Sequence, residues 1–257
     1  PILAPMSGAV VLAAFDWRAI FWSLALFGLL CGLAVFFRLR ESRSDATARQ
    51  ARSENPLQAY RVLISNRRLI GYALGGGLNG ALLFTYISSS SNLMIETYGF
   101  TPFLYTVVFA CNAFGVIGAG QVNRMLLRRL NPDQVLARAS LAALGFGVLL
   151  LIAGLTGLGG AWLLLPLLFA CLASYGLMAG NTMAGALSVD PMRAGSTSAL
   201  MGGLSFAAGA FASWLAGVLH DGSARPMAVV MMICLLGSSA ALWGLALPKR
   251  NATRTSN

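Results

Sequence analysis

Apolar runs separated by polar links organise this chain. With loose boundaries they cover residues 1–14, 19–37, 69–88, 103–122, 135–155, 161–180, 196–219 and 227–247. A helix needs about 20 apolar residues to cross the hydrocarbon of a bilayer, so every run but 1–14 is long enough to span. No Asp, Glu, Lys or Arg lies at the middle of a complete run. A charge there costs roughly 2.5–3.5 kcal/mol on insertion scales, so spanning helices leave it out unless function demands it. The pattern predicts an all-α, polytopic membrane protein built as a helical bundle.

One link stands apart. Segment 38–68 is long and rich in Ser, Arg, Asp and Gln, a composition that cannot build a core. Within it, ENPLQAYRVLIS predicts a surface helix near 55–66, with Asn55 as N-cap and Pro56 in the first turn. The segment separates residues 1–37 from the six runs of 69–247, so it reads as a hinge between two bundles, and 248–257 reads as a tail.

Charge adds a direction to this threading. The link 38–68 carries Arg38, Arg40, Arg43, Arg49, Arg52, Arg61, Arg67 and Arg68, whereas 89–102 and 156–160 carry no cation. Arg124, Arg128, Arg129 and Arg138 cluster around 123–134, Arg193 follows the run 161–180, and Lys249, Arg250 and Arg254 lie in the tail. Of the 18 Lys and Arg residues, all but Arg18 and Arg225 therefore fall on alternate links of one side. Short-loop cations stay in the cytoplasm, so 38–68 and the C-terminus are expected there.

Composition excludes other classes. Charged residues make up 10% of the chain and hydrophobic ones 57%, against about 25% charged in soluble domains. The net charge of +10 lies in links between spans and not on a folded basic face, which excludes nucleic acid as a partner. Cys31, Cys111, Cys171 and Cys234 fall far apart inside apolar runs, without metal-ligand spacing, and read as small buried core residues. His220 and Asp221 lack a nucleophile beside them and read as a turn. GGGLNG lacks the Lys and Ser/Thr of a phosphate loop and sits inside a span. Asn251 opens a glycosylation sequon by pattern, on the side assigned to the cytoplasm. A membrane enzyme needs a catalytic constellation at membrane depth, and the chain offers none, so no enzyme, metal or cofactor is expected. Glycines cluster at Gly71, Gly75, Gly76 and Gly80, at Gly115, Gly118 and Gly120, and at Gly202, Gly203 and Gly209. Such small-residue faces let helix backbones approach closely in lipid.

Particular strings carry a family likeness. PILAPMSGAVV followed by WRAIFW, then NRMLLRRL, PLLFACLASYGLMAGNTMAGAL and RAGSTSALMGGLSFAAGAFAS leading into HDGSARP, resemble drug–proton antiporters of the major facilitator superfamily, and within it the bicyclomycin-resistance branch. The likeness covers essentially the whole chain. It implies a twelve-helix carrier of the bacterial inner membrane, of which these residues would hold part of helix 5, helix 6, the central loop and helices 7–12. On that reading 1–37 is a remnant of one bundle, and the 257 residues alone are not expected to transport. Two departures are visible. Ala9 follows Gly8 where the family's helix 5 element usually has a second Gly. The loop signature survives in degenerate form as Gly120, Asn123, Arg124, Arg128 and Arg129, with Asn123 in place of the acid.

The resemblance also points to site residues. Two helices that line the family's cavity correspond to 69–88 and 161–180. The first offers Tyr72, Asn79, Phe84 and Tyr86, the second Tyr175 and Met178 with Asn181 just beyond, and Asn112 lies on the neighbouring run. Amides and phenols supply a few hydrogen bonds while aromatic and Met side chains adapt to varied shapes, which suits a hydrophobic, weakly polar drug. The alternative cargo is a physiological metabolite such as a nucleoside. For each polar residue the competing role is a hydrogen bond to a neighbouring helix. Pro5 and Gly8 are expected to bend their helix against the opposite bundle. The proton-coupling acid is expected outside this chain, with Glu96 as the reserve candidate. Expected partners are a drug-like small molecule, protons and the lipid bilayer, and the carrier is expected to act as a monomer.

Overall fold

Among the described residues, seven helices are long and apolar enough to cross a membrane. The computed structural model describes residues 3–39 and 55–247. Pro1, Ile2, the stretch 40–54 with its four arginines, and the tail 248–257 with its cations and sequon lie outside the described residues. No strand occurs among the described residues, in keeping with the all-α expectation.

Two units divide the chain at about residue 53. The first holds α1 (Leu3–Ala14) and α2 (Trp17–Arg38), which pack as a hairpin. Asp16 starts α2 by accepting the backbone N–H groups of Arg18 and Ala19 at 3.0 and 3.2 Å. The helix buries none of its residues, and Phe21, Trp22, Phe27 and Phe36 all stand exposed, a surface that only lipid or protein can cover.

The second unit holds α3 (Pro56–Ser65), α4 (Arg67–Asn92), α5 (Pro102–Leu126), α6 (Pro132–Thr156), α7 (Gly160–Val189), α8 (Ala194–Val218) and α9 (Arg225–Ala241). Each of α4 and α9 runs on through a π-helical turn, Leu93–Thr97 and Leu242–Ala246. A recurrent device sets the helix starts: a capping side chain followed by proline, whose missing N–H is no loss in the first turn. Asn55 Oδ1 accepts from Leu57 N at 3.0 Å ahead of Pro56, so the amphipathic helix expected near 55–66 is present. Thr101 Oγ1 accepts from Leu104 N at 3.2 Å beside Pro102, and Asn131 N donates to Gln134 Oε1 at 3.2 Å beside Pro132. Asn66 caps α4 through the N–H groups of Arg68 and Leu69, both at 3.1 Å. In the link 219–224, Ser223 donates its hydroxyl and its N–H to Asp221 and holds that carboxyl below its usual range, so His220 and Asp221 sit in a turn as expected.

The helices outrun the apolar runs that predicted them. The run 161–180 stops at two polar residues, yet α7 continues to Val189. Asn181 donates to Leu177 O at 2.8 Å, Thr182 to Met178 O at 3.1 Å and Ser188 to Gly185 O at 2.7 Å. Each polar side chain is satisfied by the preceding turn, so polarity alone does not end the helix.

Packing centres on α4, which lies against α7, α8 and α9, while α6 pairs with α7 and α9, and α5 with α7. Tyr72, Leu82, Met94, Leu136, Leu150, Leu168, Met178 and Met231 form the fully buried centre. Small residues set the spacing. A Cβ added at Gly71 would lie 2.5 Å from the backbone N of Ala246, and one at Gly185 would lie 2.6 Å from the ring of Tyr72. The close-approach reading holds for Gly71, Gly75, Gly76, Gly80, Gly115 and Gly209, whereas an added Cβ at Gly118, Gly120, Gly202 or Gly203 would meet open space. The cysteine expectation needs correction: Cys171 and Cys234 are buried, but Cys31 and Cys111 are exposed. In lipid an apolar outward position takes Cys as readily as a core does.

Candidate functional site

The best-placed polar group lies near the middle of α4. Asn79 is 1% exposed, and neither its Nδ2 nor its Oδ1 finds a hydrogen-bond partner among the described residues. Buried polar groups are nearly always paired, and one left alone costs about 1–3 kcal/mol. Helix register explains the company it keeps. Tyr72 faces Gly185 and Gly76 faces Thr182, so α4 and α7 run antiparallel with Asn79 level with the fully buried Met178. On the α8 side, Gly76 meets Met201, Gly77 meets Leu204 and Gly80 meets Ser205. The amide thus sits among glycine, methionine and a hydroxyl helix face, with donor and acceptor unused.

The other candidates are engaged. Asn112, on α5, donates to the Tyr86 hydroxyl at 2.9 Å, and the Tyr86 ring stacks on Phe109 with centroids 5.8 Å apart. Ser90 and Tyr105 join hydroxyls at 3.2 Å one turn further along α4. Asn181, buried on α7, donates to Asn123 Oδ1 at 2.8 Å. That bond couples a cavity candidate to the loop-motif position where asparagine stands for the acid, so these two residues pin α5 to α7. Phe84 packs on Gly209, lies 5.5 Å from the Phe206 ring, and its carbonyl accepts from Ser213 at 3.2 Å. Tyr175 is half-buried against the core, and Met178 is wholly inside it.

Tyr72 lies apart from these, one turn inside the Arg67 end of α4. Its hydroxyl donates to Asp133, and Arg68 donates to both the Tyr72 hydroxyl, at 3.1 Å, and Asp133 Oδ2, at 2.7 Å. Asp133 is not among the sequence candidates. Sixty-five residues separate it from Arg68, and no spacing rule joins the first turns of two different helices. Arg67 completes this end by donating to Gly244 O at 2.9 Å, and Trp243 donates to Ser140 Oγ at 3.0 Å. Charge and amide bonds therefore close the cation-rich end of α4, α6 and α9.

The remaining candidates lie elsewhere. Glu96 is exposed, in the π-helical turn at the opposite end of α4 from Arg68. Pro5 and Gly8 belong to α1, in the first unit, and an added Cβ at Gly8 would meet nothing within 4 Å. Gly120 likewise faces open space, Arg124 donates to Gln121 at 3.4 Å, and Arg128 and Arg129 are exposed in the turn after α5.

Between α5 and α7 an apolar groove of about 330 Å³ is lined in part by Val107, Cys111, Asn112, Trp162, Pro166 and Phe169. Its walls can hold an apolar molecule by dispersion, while the Asn112 amide at its edge is given to Tyr86. No group of three or more His, Cys, Asp or Glu side chains that could hold a metal occurs among the described residues.

Comparison with known proteins agrees with this architecture. The model of the Major Facilitator Superfamily matches residues 1–213. A "Bicyclomycin resistance protein homolog" of Haemophilus influenzae is 26% identical over 248 residues, which is 95% of this chain and 61% of that protein. An "Uncharacterized MFS-type transporter YdgK" of Bacillus subtilis is 27% identical over 248 residues, again 95% of this chain and 61% of that protein. "Multidrug resistance protein MdtL" of Escherichia coli is 24% identical over 238 residues, 93% of this chain and 59% of that protein. The chain thus spans about three-fifths of the length of these relatives.

Proposed function

The chain belongs to the Major Facilitator Superfamily, and on that premise we propose that it acts in a secondary active transporter that exports drug-like small molecules across the bacterial inner membrane in exchange for protons. The observation that carries the substrate side is Asn79. A buried amide with both polar atoms unused, near the middle of the most enclosed helix, is retained at a cost to stability. A ligand that supplies its partners recovers that cost. The surrounding Met178, Met201 and glycine faces suit an apolar cargo with one or two polar groups. Resistance-named relatives support drug-like cargo over a nucleoside or other metabolite. Tyr86, Asn112, Tyr175, Met178 and Phe84 form the adaptable wall of this reading, and Tyr72 and Asn181 close its Arg-rich end. Glu96 is the reserve candidate for a proton-coupling acid within this chain, and Pro5 and Gly8 are proposed to bend α1.

The test is efflux. A carrier of the relatives' full length that includes these residues, expressed in cells stripped of their own drug exporters, is expected to raise ethidium efflux, and a protonophore is expected to abolish the gain. Efflux that is unaffected by the protonophore removes the proton from the proposal. Uptake of a nucleoside without any drug efflux replaces the cargo.

Orientation rests on the asymmetry of the arginines. We place 38–68 and the C-terminus in the cytoplasm and the link 219–224 outside. Alkaline phosphatase fused in 219–224 is expected to be active, and the same reporter in 38–68 inactive. Equal activity at both sites overturns the threading.

A further inference from the structure

The turn between α5 and α6 carries three arginines around one pocket. Arg128, Arg129 and Arg138 line it together with Met125, Leu126 and Leu130, and its volume is about 520 Å³. Local folding explains the convergence. After α5 ends at Leu126, Arg128 N donates to Met125 O at 3.3 Å and Leu130 N to Leu126 O at 2.9 Å, which curls the chain back and sets Arg128 and Arg129 side by side. Arg138 reaches the same pocket from α6, nearly two turns past its start.

No carboxylate among the described residues pairs with any of these three guanidiniums. The acid that follows the turn, Asp133 at the start of α6, is committed to Arg68 and Tyr72. Three like charges around one volume repel each other, so the pocket gains from an anion. Guanidinium groups bind phosphate oxygens in pairs, which a chloride ion cannot exploit. The other half of the lining is apolar, with Met125 exposed at its edge, and beyond it Val122 and Leu141 stand exposed along α5 and α6. A free phosphate has no use for that surface. A phospholipid has, because spanning helices end at the level of the headgroups and the acyl chains lie along their flanks.

We propose that this pocket binds the phosphate of an anionic phospholipid, with the acyl chains seated on Val122, Met125 and Leu141. The chain reconstituted in phosphatidylcholine bilayers, probed with spin-labelled phosphatidylglycerol and spin-labelled phosphatidylcholine, gives the ratio of their association constants. A ratio of about five or more in favour of phosphatidylglycerol is expected, falling to near one in R128Q/R129Q/R138Q. Arg61→Gln on α3, which removes one cation elsewhere, is expected to leave the ratio unchanged, and R128K/R129K/R138K is expected to fall between. Where the glutamine triple does not fold, Arg129→Gln and Arg138→Gln alone are each expected to lower the ratio. An unchanged ratio in the arginine variants overturns the site. Displacement of phosphatidylglycerol by inorganic phosphate at matched ionic strength also overturns it, because the pocket then takes a free oxyanion.

Discussion

In a carrier of the relatives' full length that includes these residues, Asn79→Leu is expected to raise stability and, on the proposed function, to weaken export. The leucine has similar bulk, carries no donor or acceptor, and removes an amide that is buried without partners. The gain should reach about 1–3 kcal/mol, read as a rise in the thermal unfolding midpoint of the detergent-purified protein. Ethidium efflux should drop at least about tenfold, since loss of a single polar contact to cargo is worth roughly 1.4 kcal/mol or more. The two readings must move in opposite directions for Asn79 to be a ligand. A variant that loses stability and keeps its efflux assigns the amide to helix packing instead.

Gly176→Val is expected to be the most damaging single change in the second unit. A Cβ at Gly176 would collide with the backbone carbonyl of Val116, and Ala119 Cβ stands 3.1 Å away. A carbonyl oxygen cannot swing aside as a side chain can, so α5 and α7 would have to separate. That separation also pulls on the Asn123–Asn181 bond below it. Overpacked cores lose typically 1–3 kcal/mol, and a backbone collision belongs at the upper end of that range. Gly118→Val on α5 is the matched control, because nothing lies within 4 Å of a Cβ there. It should stay within about 0.5 kcal/mol of the parent in the same melt. Similar losses in both variants would place the effect in helix propensity and not in the contact.

Most of the fold was legible because a bilayer leaves little choice. Helices α2 and α4 to α9 fall on the seven complete apolar runs, and Asn55 with Pro56 marked α3 through its cap chemistry. Boundaries were less legible, as at Asn181 and Thr182, where polar side chains bond their own helix and let it continue. Less still of the site could be read. Asn79 and Asn181 look alike in sequence, two amides in apolar surroundings, yet one is unpaired and the other is tied to Asn123 on a different helix. Asp133 went unnoticed beside Pro132 because its importance comes from Arg68 and Tyr72, which no local pattern brings near it. The glycine clusters predicted close approach as a class, but only the structure separates Gly71, pressed on backbone atoms, from Gly202 and Gly203, which touch nothing, and adds Gly176, which lay in no cluster.

The helix at the centre of the second unit is also the one whose neighbours arrive last. Ser213 reaches the Phe84 carbonyl across 129 residues, and Ser238 reaches the Gly75 carbonyl across 163. At roughly 5–20 residues per second, a ribosome needs about 8–33 seconds to make that second stretch. The hydroxyl bonds that fasten this early helix to α8 and α9 therefore form only once the end of the unit has been synthesised.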